Sequence, residues 1–350
     1  MKQRLFAKHA PAVNGSKRNQ RGLSLVEIMV AMTLGLILTA GVIQLFVSNK
    51  RAYQVQTATN GMQENGRYAM KLLTDALRAA DHWGGVEASD VGGTASVTGV
   101  VGCDAAWILN VSEGIRGYEG VSGTPPLPSG CIANADYVAN TDVFVVRHAG
   151  GEFQPTATVT SGGGSEVWVR SAPGRRAQLF SASDIANLPG DLYDAGDPDA
   201  DGLYHYPYRI AAYFLRPCSG KAGTACAATD DGGNPIPTLA RLALVNGQLQ
   251  EQGMVNGVEH MQLEYGVDAN LDTNPDFYTD AATVSAAAQW NRVVSVRLTL
   301  VVRAEERTTL ADTTVYNLPN GATYTAPAAS QYYQRKVFTS VVDIRNRRRS

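Results

Sequence analysis

The hydrophobic pattern opens with one long apolar run. Residues 23–47, LSLVEIMVAMTLGLILTAGVIQLFV, carry a single charge, Glu27. As a helix rising about 1.5 Å per residue, these 25 residues reach about 37 Å, longer than the roughly 30 Å hydrocarbon core of a bilayer. The pattern then turns amphipathic. Val55, Ala58, Met62, Ala69, Leu72, Ala76 and Ala80 recur at steps of three, four and seven, which predicts a helical stripe continuing past the apolar run. Asn65 interrupts the stripe, and Gly61 and Gly66 weaken a helix by about 1 kcal/mol each relative to Ala, so a bend or melted stretch is expected there. The sequence DHWGGVE supplies stop signals at Gly84 and Gly85.

Beyond residue 84 the period changes from helical to two. The segments 141–148, 166–171, 208–216, 238–245, 258–267, 293–303 and 335–345 are rich in β-branched and aromatic residues and predict strands. In 293–303, Val294, Val296, Leu298 and Leu300 alternate with Ser295, Arg297 and Thr299, the pattern of a half-buried antiparallel strand. SGTPPLPSG, SGGGS and DDGGNPIPT between them have loop chemistry. The expected architecture is α+β: a long N-terminal helix packed on an antiparallel sheet with long loops.

Charge settles the topology. Of 30 basic residues, Lys2, Arg4, Lys8, Lys17, Arg18 and Arg21 precede the first acid, Glu27, leaving 24 basic against 32 acidic residues after residue 22, a balance of −8. An acidic bulk argues against a nucleic-acid partner, and the terminal RNRRRS reads as a solvated tail. The apolar run ends in SNKRAYQ, with no small-residue secretory cleavage site. A single-pass anchor follows, and the basic excess before it predicts a cytoplasmic N-terminus with the remainder outside. The four cysteines, Cys103, Cys131, Cys218 and Cys226, show no zinc spacing. In an oxidising compartment they suit two disulfides. Three connectivities are possible, and the sequence-near one, Cys103 with Cys131 and Cys218 with Cys226, is expected.

An ordinary anchor does not explain Glu27, because a carboxylate in hydrocarbon is costly. A basic leader, then Gly22, then an apolar run with Ser24 and an acid at its fifth position resembles the signal of type IV prepilins and pseudopilins. The resemblance implies cleavage by a prepilin peptidase between Gly22 and Leu23, N-methylation of Leu23, and a role for Glu27 in assembly. Leu23 stands where Phe is commoner in that family. A buried carboxylate is tolerated when paired. The partner expected for Glu27 is the new ammonium of a neighbouring subunit, with an intramolecular pair as the alternative.

The segments YRIAAYFLRPCS, LARLAL, VEHMQLEYGVD, WNRVVSVRLTLVVRA and VFTSVVDIRNR resemble PilW-type minor pilins of Gram-negative bacteria. That resemblance implies a leader at 1–22, a transmembrane helix at 23–47, an amphipathic extension at 48–83 and a periplasmic head at 84–350. It implies a protein of the inner membrane and the pilus fibre that helps initiate type IV pilus assembly and sits at or near the tip. Its partners would be other minor pilins, the major pilin and a tip adhesin-like protein. The alternatives are a J-type minor pseudopilin of a type II secretion system and a membrane-tethered periplasmic binding protein or enzyme.

Two acidic loops are candidate calcium sites. Asp268, Asn270, Asp272, Asn274 and Asp276 alternate oxygen side chains, as do Asp197, Asp199 and Asp201 before Gly202. Asp/Asn clusters also form ordinary turns. No other cofactor is implied. His82, His148, His205 and His260 lie outside any metal or catalytic motif, and neither a G-x-S-x-G elbow nor a phosphate-binding loop is present, so no enzyme is expected.

Overall fold

The computed structural model describes residues 22–93, 95–97, 102–154, 159, 166–187 and 204–347. The chain divides into two compact units, Met1–Tyr53 and Gln54–Ser350. Helix α1 (Leu25–Ala79) begins with Glu27 in its first turn. Every residue from 22 to 57 is exposed, and α1 is long and apolar enough to cross a membrane.

Within the second unit α1 becomes a packing element. Ala58, Met62, Gly66, Ala69, Leu73 and Leu77 are its buried residues, at steps of three and four that keep them on one stripe. Each large member removed from water contributes about 1.5–3 kcal/mol, an upper figure because unfolded chains already bury some apolar surface. The helix runs unbroken through Gly61 and Gly66, so no melted stretch interrupts it there. Gly66 is there for closeness: a Cβ at this position would lie 2.3 Å from the Phe338 ring. Around Gly61 nothing lies within 4 Å of such a Cβ.

The helix also ends earlier than Gly84. Asp81 takes the left-handed conformation at φ 63° and donates its N–H to the Arg147 carbonyl (3.0 Å). The carbonyls left over at a helix end need donors, and Asn346 provides them, its amide donating to the carbonyls of Ala80 (2.8 Å) and Arg78 (3.3 Å). Arg347 pairs with the Asp81 carboxylate. Asn346 and Arg347 are therefore a clasp on the end of α1, not part of a solvated tail, with a cation where the helix dipole favours one.

Among the described residues fourteen strands follow: β1 (Val91–Gly93), β2 (Ile115–Tyr118), β3 (Val143–Ala149), β4 (Val167–Ala172), β5 (Arg176–Ser181), β6 (Tyr204–Arg216), β7 (Thr238–Val245), β8 (Gln248–Asn256), β9 (Val258–Val267), β10 (Phe277–Thr279), β11 (Val293–Arg307), β12 (Val315–Asn317), β13 (Thr323–Thr325) and β14 (Tyr333–Asp343). The larger sheet runs β1-β5-β4-β6-β3-β2, with β7 on β6 and β8 on β7, and the smaller runs β10-β9-β11-β14. Strands β12 and β13 form a separate ribbon. All pairs are antiparallel except β1 with β5.

One core lies where the α1 stripe, the smaller sheet and one face of the larger sheet meet. It contains Leu73 and Leu77, Met261, Leu263 and Tyr265 of β9, Leu298 and Leu300 of β11, and Phe144 and Val146 of β3. A second core, with Val143 and Val145 of β3, takes in Trp83, Ile108, Leu127 and Ile132. The alternation along β3 thus feeds two cores. Strand β11 is more buried than its sequence suggests: Ser295, Thr299 and Val301, on the face opposite Leu298, are at most 2 % exposed.

Candidate functional site

The candidate signal residues lie at the start of α1. Gly22 and Leu23 are exposed and precede the helix. The Ile28 N–H donates to the Ser24 carbonyl (3.1 Å), which ties the residue before the helix to its first turn. Glu27 sits in the first turn, exposed, with no intrachain partner among the described residues. Leu23 and Glu27 are four residues apart, one helical turn.

The head is cross-linked twice. Cys103 pairs with Cys131 and Cys218 with Cys226, at Cα separations of 4.5 and 5.7 Å, both ordinary for a disulfide. The shorter loop is held by aspartates that accept from backbone amides. Asp231 takes the Ser219 (2.8 Å), Gly220 (3.1 Å) and Ile236 (2.8 Å) N–H groups and the Ser219 hydroxyl (2.6 Å). Burial works to raise its pKa, but these donors hold the carboxyl down at about 2. Asp136 accepts from the Cys226 N–H (2.7 Å) and pairs with Lys221 (2.8 Å), which also reaches Glu251 (2.7 Å). Among the described residues, Cys218, Cys226 and Asp230 form the one close group of three metal-binding side chains. Both sulfurs are consumed by the disulfide, and Asp230 accepts from the Ala222 and Ala227 amides (3.2 and 2.8 Å).

The first acidic loop is self-capped. Asp268 accepts from the N–H groups of Leu271 (2.6 Å), Asp272 (3.2 Å) and Thr273 (2.7 Å), and Asp276 from those of Ala269 (2.7 Å) and Asn270 (3.3 Å). Asp272 accepts from the Asn274 N–H (2.8 Å). A cation here would share these oxygens with backbone donors. Asp197, Asp199 and Asp201 lie outside the described residues.

His82, His148, His205 and His260 are buried or half-buried. His205 meets the Phe180 ring edge-on and His260 lies by Tyr324. Burial lowers the pKa of His148, His205 and His260.

Two polar clusters escaped sequence reading. In the first, Arg335 grips Glu259 with two nitrogens (2.5 and 3.0 Å), while Ser330 donates to the same carboxylate (3.1 Å). Both charged residues are buried. Arg335 also reaches Asp312 (3.4 Å), which accepts from Tyr316 (2.9 Å), so the cluster ties the excursion carrying β12 and β13 to the smaller sheet. In the second, Asp142 joins the start of β3 to β9. Its N–H donates to the Met261 carbonyl (2.9 Å) and its carboxyl accepts from Leu263 (2.7 Å) and Gly120 (2.9 Å). Nothing local marks either cluster, because the partners are far apart in sequence.

The fold and the N-terminus together define a class: a membrane-anchored chain with a prepilin-type signal, an extended helix and an antiparallel head. Residues 17–43 match the family model of the prokaryotic N-terminal methylation motif. Residues 226–346 match that of the type IV pilus-assembly protein W, a stretch running from the second cysteine of the short loop to the Asn346 clasp. By these two matches the chain is similar, at its N-terminus and over its last third, to type IV pilus-related pilins of PilW type. No curated protein and no solved structure matches it. These family matches point to a structural role.

Proposed function

We propose that the protein is a minor pilin that helps initiate type IV pilus assembly and is retained at or near the fibre tip. The prepilin signal at one end and the PilW region at the other carry this reading. In it, prepilin peptidase cleaves after Gly22 on the cytoplasmic side, Leu23 is methylated, and residues 23–47 hold the subunit in the inner membrane with a periplasmic head. Residues 48–83 extend the helix and residues 84–350 form the head. Glu27 then meets the N-terminal ammonium of a neighbouring subunit, a pairing that compensates a carboxylate in low dielectric. Its partners are other minor pilins, the major pilin and a large tip adhesin-like protein.

Gly22→Ala is expected to leave the protein at its full-length mass on a blot of membranes. Appearance of the mature form in that variant would overturn the cleavage assignment. A deletion strain should lose surface pili and twitching while still secreting exoproteins. The reverse phenotype would identify a pseudopilin of type II secretion. Calcium at residues 268–276 is a separate proposal, tested by calorimetry on the full chain in detergent; no heat and no change in melting temperature would remove it.

A further inference from the structure

The seam between the two sheets contains the feature that assembly does not use. Asp142 is 2 % exposed. Its backbone and side chain together satisfy the Met261 carbonyl and the Leu263 and Gly120 amides, so one residue stitches the free edge of β9 to the start of β3 and to the chain after β2. The groups facing it are acids and phenols. Glu119 comes from the end of β2, where it accepts from Gln262 (3.2 Å), and Asp280 from the N-cap of the short helix Ala281–Ala286. Tyr137 donates to the Thr141 carbonyl beside it (2.6 Å). Tyr265 reaches in from β9, its hydroxyl so close over Gly117 that a Cβ there would lie 1.9 Å away. Glu119 Oε2 and Tyr265 Oη are both buried without a hydrogen-bond partner. Unpaired buried polar atoms are costly. Glu119 and Asp142 bond to adjacent residues of β9, Gln262 and Leu263, so two acids share one buried seam in which the Glu119 Oε2 lacks a donor, an arrangement that favours a proton on one of them.

We propose that Asp142 is a proton latch between the two sheets: protonated, it closes the seam; ionised, it loosens it. The inference is independent of the pilus reading, because it concerns the head alone. Burial first, and the Glu119 charge second, push the Asp142 carboxyl up to about 8, against the pull of the two amides. Glu119 is also raised, by burial and then by Asp280. The sign follows from linkage. An unfolded aspartate loses its proton near pH 4, whereas the folded one keeps it to about pH 8. Stability from this group is therefore complete below about pH 4 and is lost as pH rises through 8. His148, His205 and His260, whose pKa values burial lowers, act in the opposite sense at acid pH. The readout must accordingly be the difference between wild type and variant.

The test is thermal melting of the full chain in detergent from pH 5 to pH 9, for wild type, Asp142→Asn and Glu119→Gln. Subtracting Asp142→Asn from wild type should leave a melting temperature that falls by several degrees between pH 5 and 8. Glu119→Gln, which removes the neighbouring charge, should melt higher than wild type at pH 8. Infrared spectra at neutral pH should show a carboxylic-acid stretch that Asp142→Asn lacks. Wild-type pH dependence in both variants, with no such band, would overturn the latch. If Asp142→Asn does not fold, Glu119→Gln decides alone: a melting temperature at pH 8 equal to wild type sinks the proposal.

Discussion

Gly61 and Gly66 are five residues apart on one helix and are predicted to respond oppositely to the same change. Replacing an exposed helical glycine by alanine gains up to about 1 kcal/mol from backbone entropy and helix propensity. At Gly61 nothing lies within 4 Å of the new methyl, so Gly61→Ala should raise the melting temperature. At Gly66 the methyl would sit 2.3 Å from Phe338. Overpacking of that kind costs about 1–3 kcal/mol, more than the propensity gain, so Gly66→Ala should lower it. Melts of both variants in one detergent check the pair, and a rise in both would show that Phe338 swings aside freely. The sequence offers both glycines as helix weakeners and cannot separate them, because the difference lies in β14, some 270 residues later.

At the scale of elements, the buried Glu259–Arg335 pair decides whether the excursion between β11 and β14 stays on the sheet. Removing one partner of a buried ion pair typically costs about 3–5 kcal/mol, because the other is left charged and alone. Here Arg303 stands 3.8 Å from Glu259 and offers partial compensation to the carboxylate. Arg335, by contrast, would keep its bonds to the Tyr333 and Ser330 carbonyls but, among the described residues, only Asp312 at 3.4 Å as a charged partner. Glu259→Ala is therefore expected to destabilise more than Arg335→Met, and to expose the ribbon β12–β13 to limited proteolysis before the rest of the head. Equal stability of Glu259→Ala and wild type, by melting or by protease, would refute the tether. The elements themselves were unequally legible. Strands β7 and β9 coincide end to end with the apolar, β-branched segments 238–245 and 258–267. β8, QLQEQGMVN, was missed because it pairs only with β7 and faces water, where a strand has no need of apolar residues. β5, RAQLFS, was missed for want of β-branched residues, though its inner positions are buried. The disulfides were legible because their spacing left a near pairing open; Asp142 was not, since an aspartate before a strand reads as a turn former until β9 is laid against it.

At the scale of the whole molecule, Glu27 separates two accounts of the apolar run. If that run is an anchor alone, the acid is a burden. Moving a carboxylate toward the bilayer centre costs about 2.5–3.5 kcal/mol on insertion scales, so Glu27→Leu would be neutral or would insert more readily. If the run also packs against neighbouring subunits, the acid is matched by an ammonium and its loss leaves that ammonium buried alone. The substitution then weakens assembly while favouring insertion. Its exposed position in the first turn of α1, one turn beyond Leu23, suits a partner from another chain. Glu27→Leu should accordingly be processed and found in the membrane at wild-type amounts, yet be depleted several-fold from sheared pili. Processing and membrane level are controls in the same blot, so failure to mature is told apart from failure to assemble. Wild-type abundance of the Leu variant in the sheared fraction would mean that Glu27 is tolerated, not used, and the pairing would have to be abandoned.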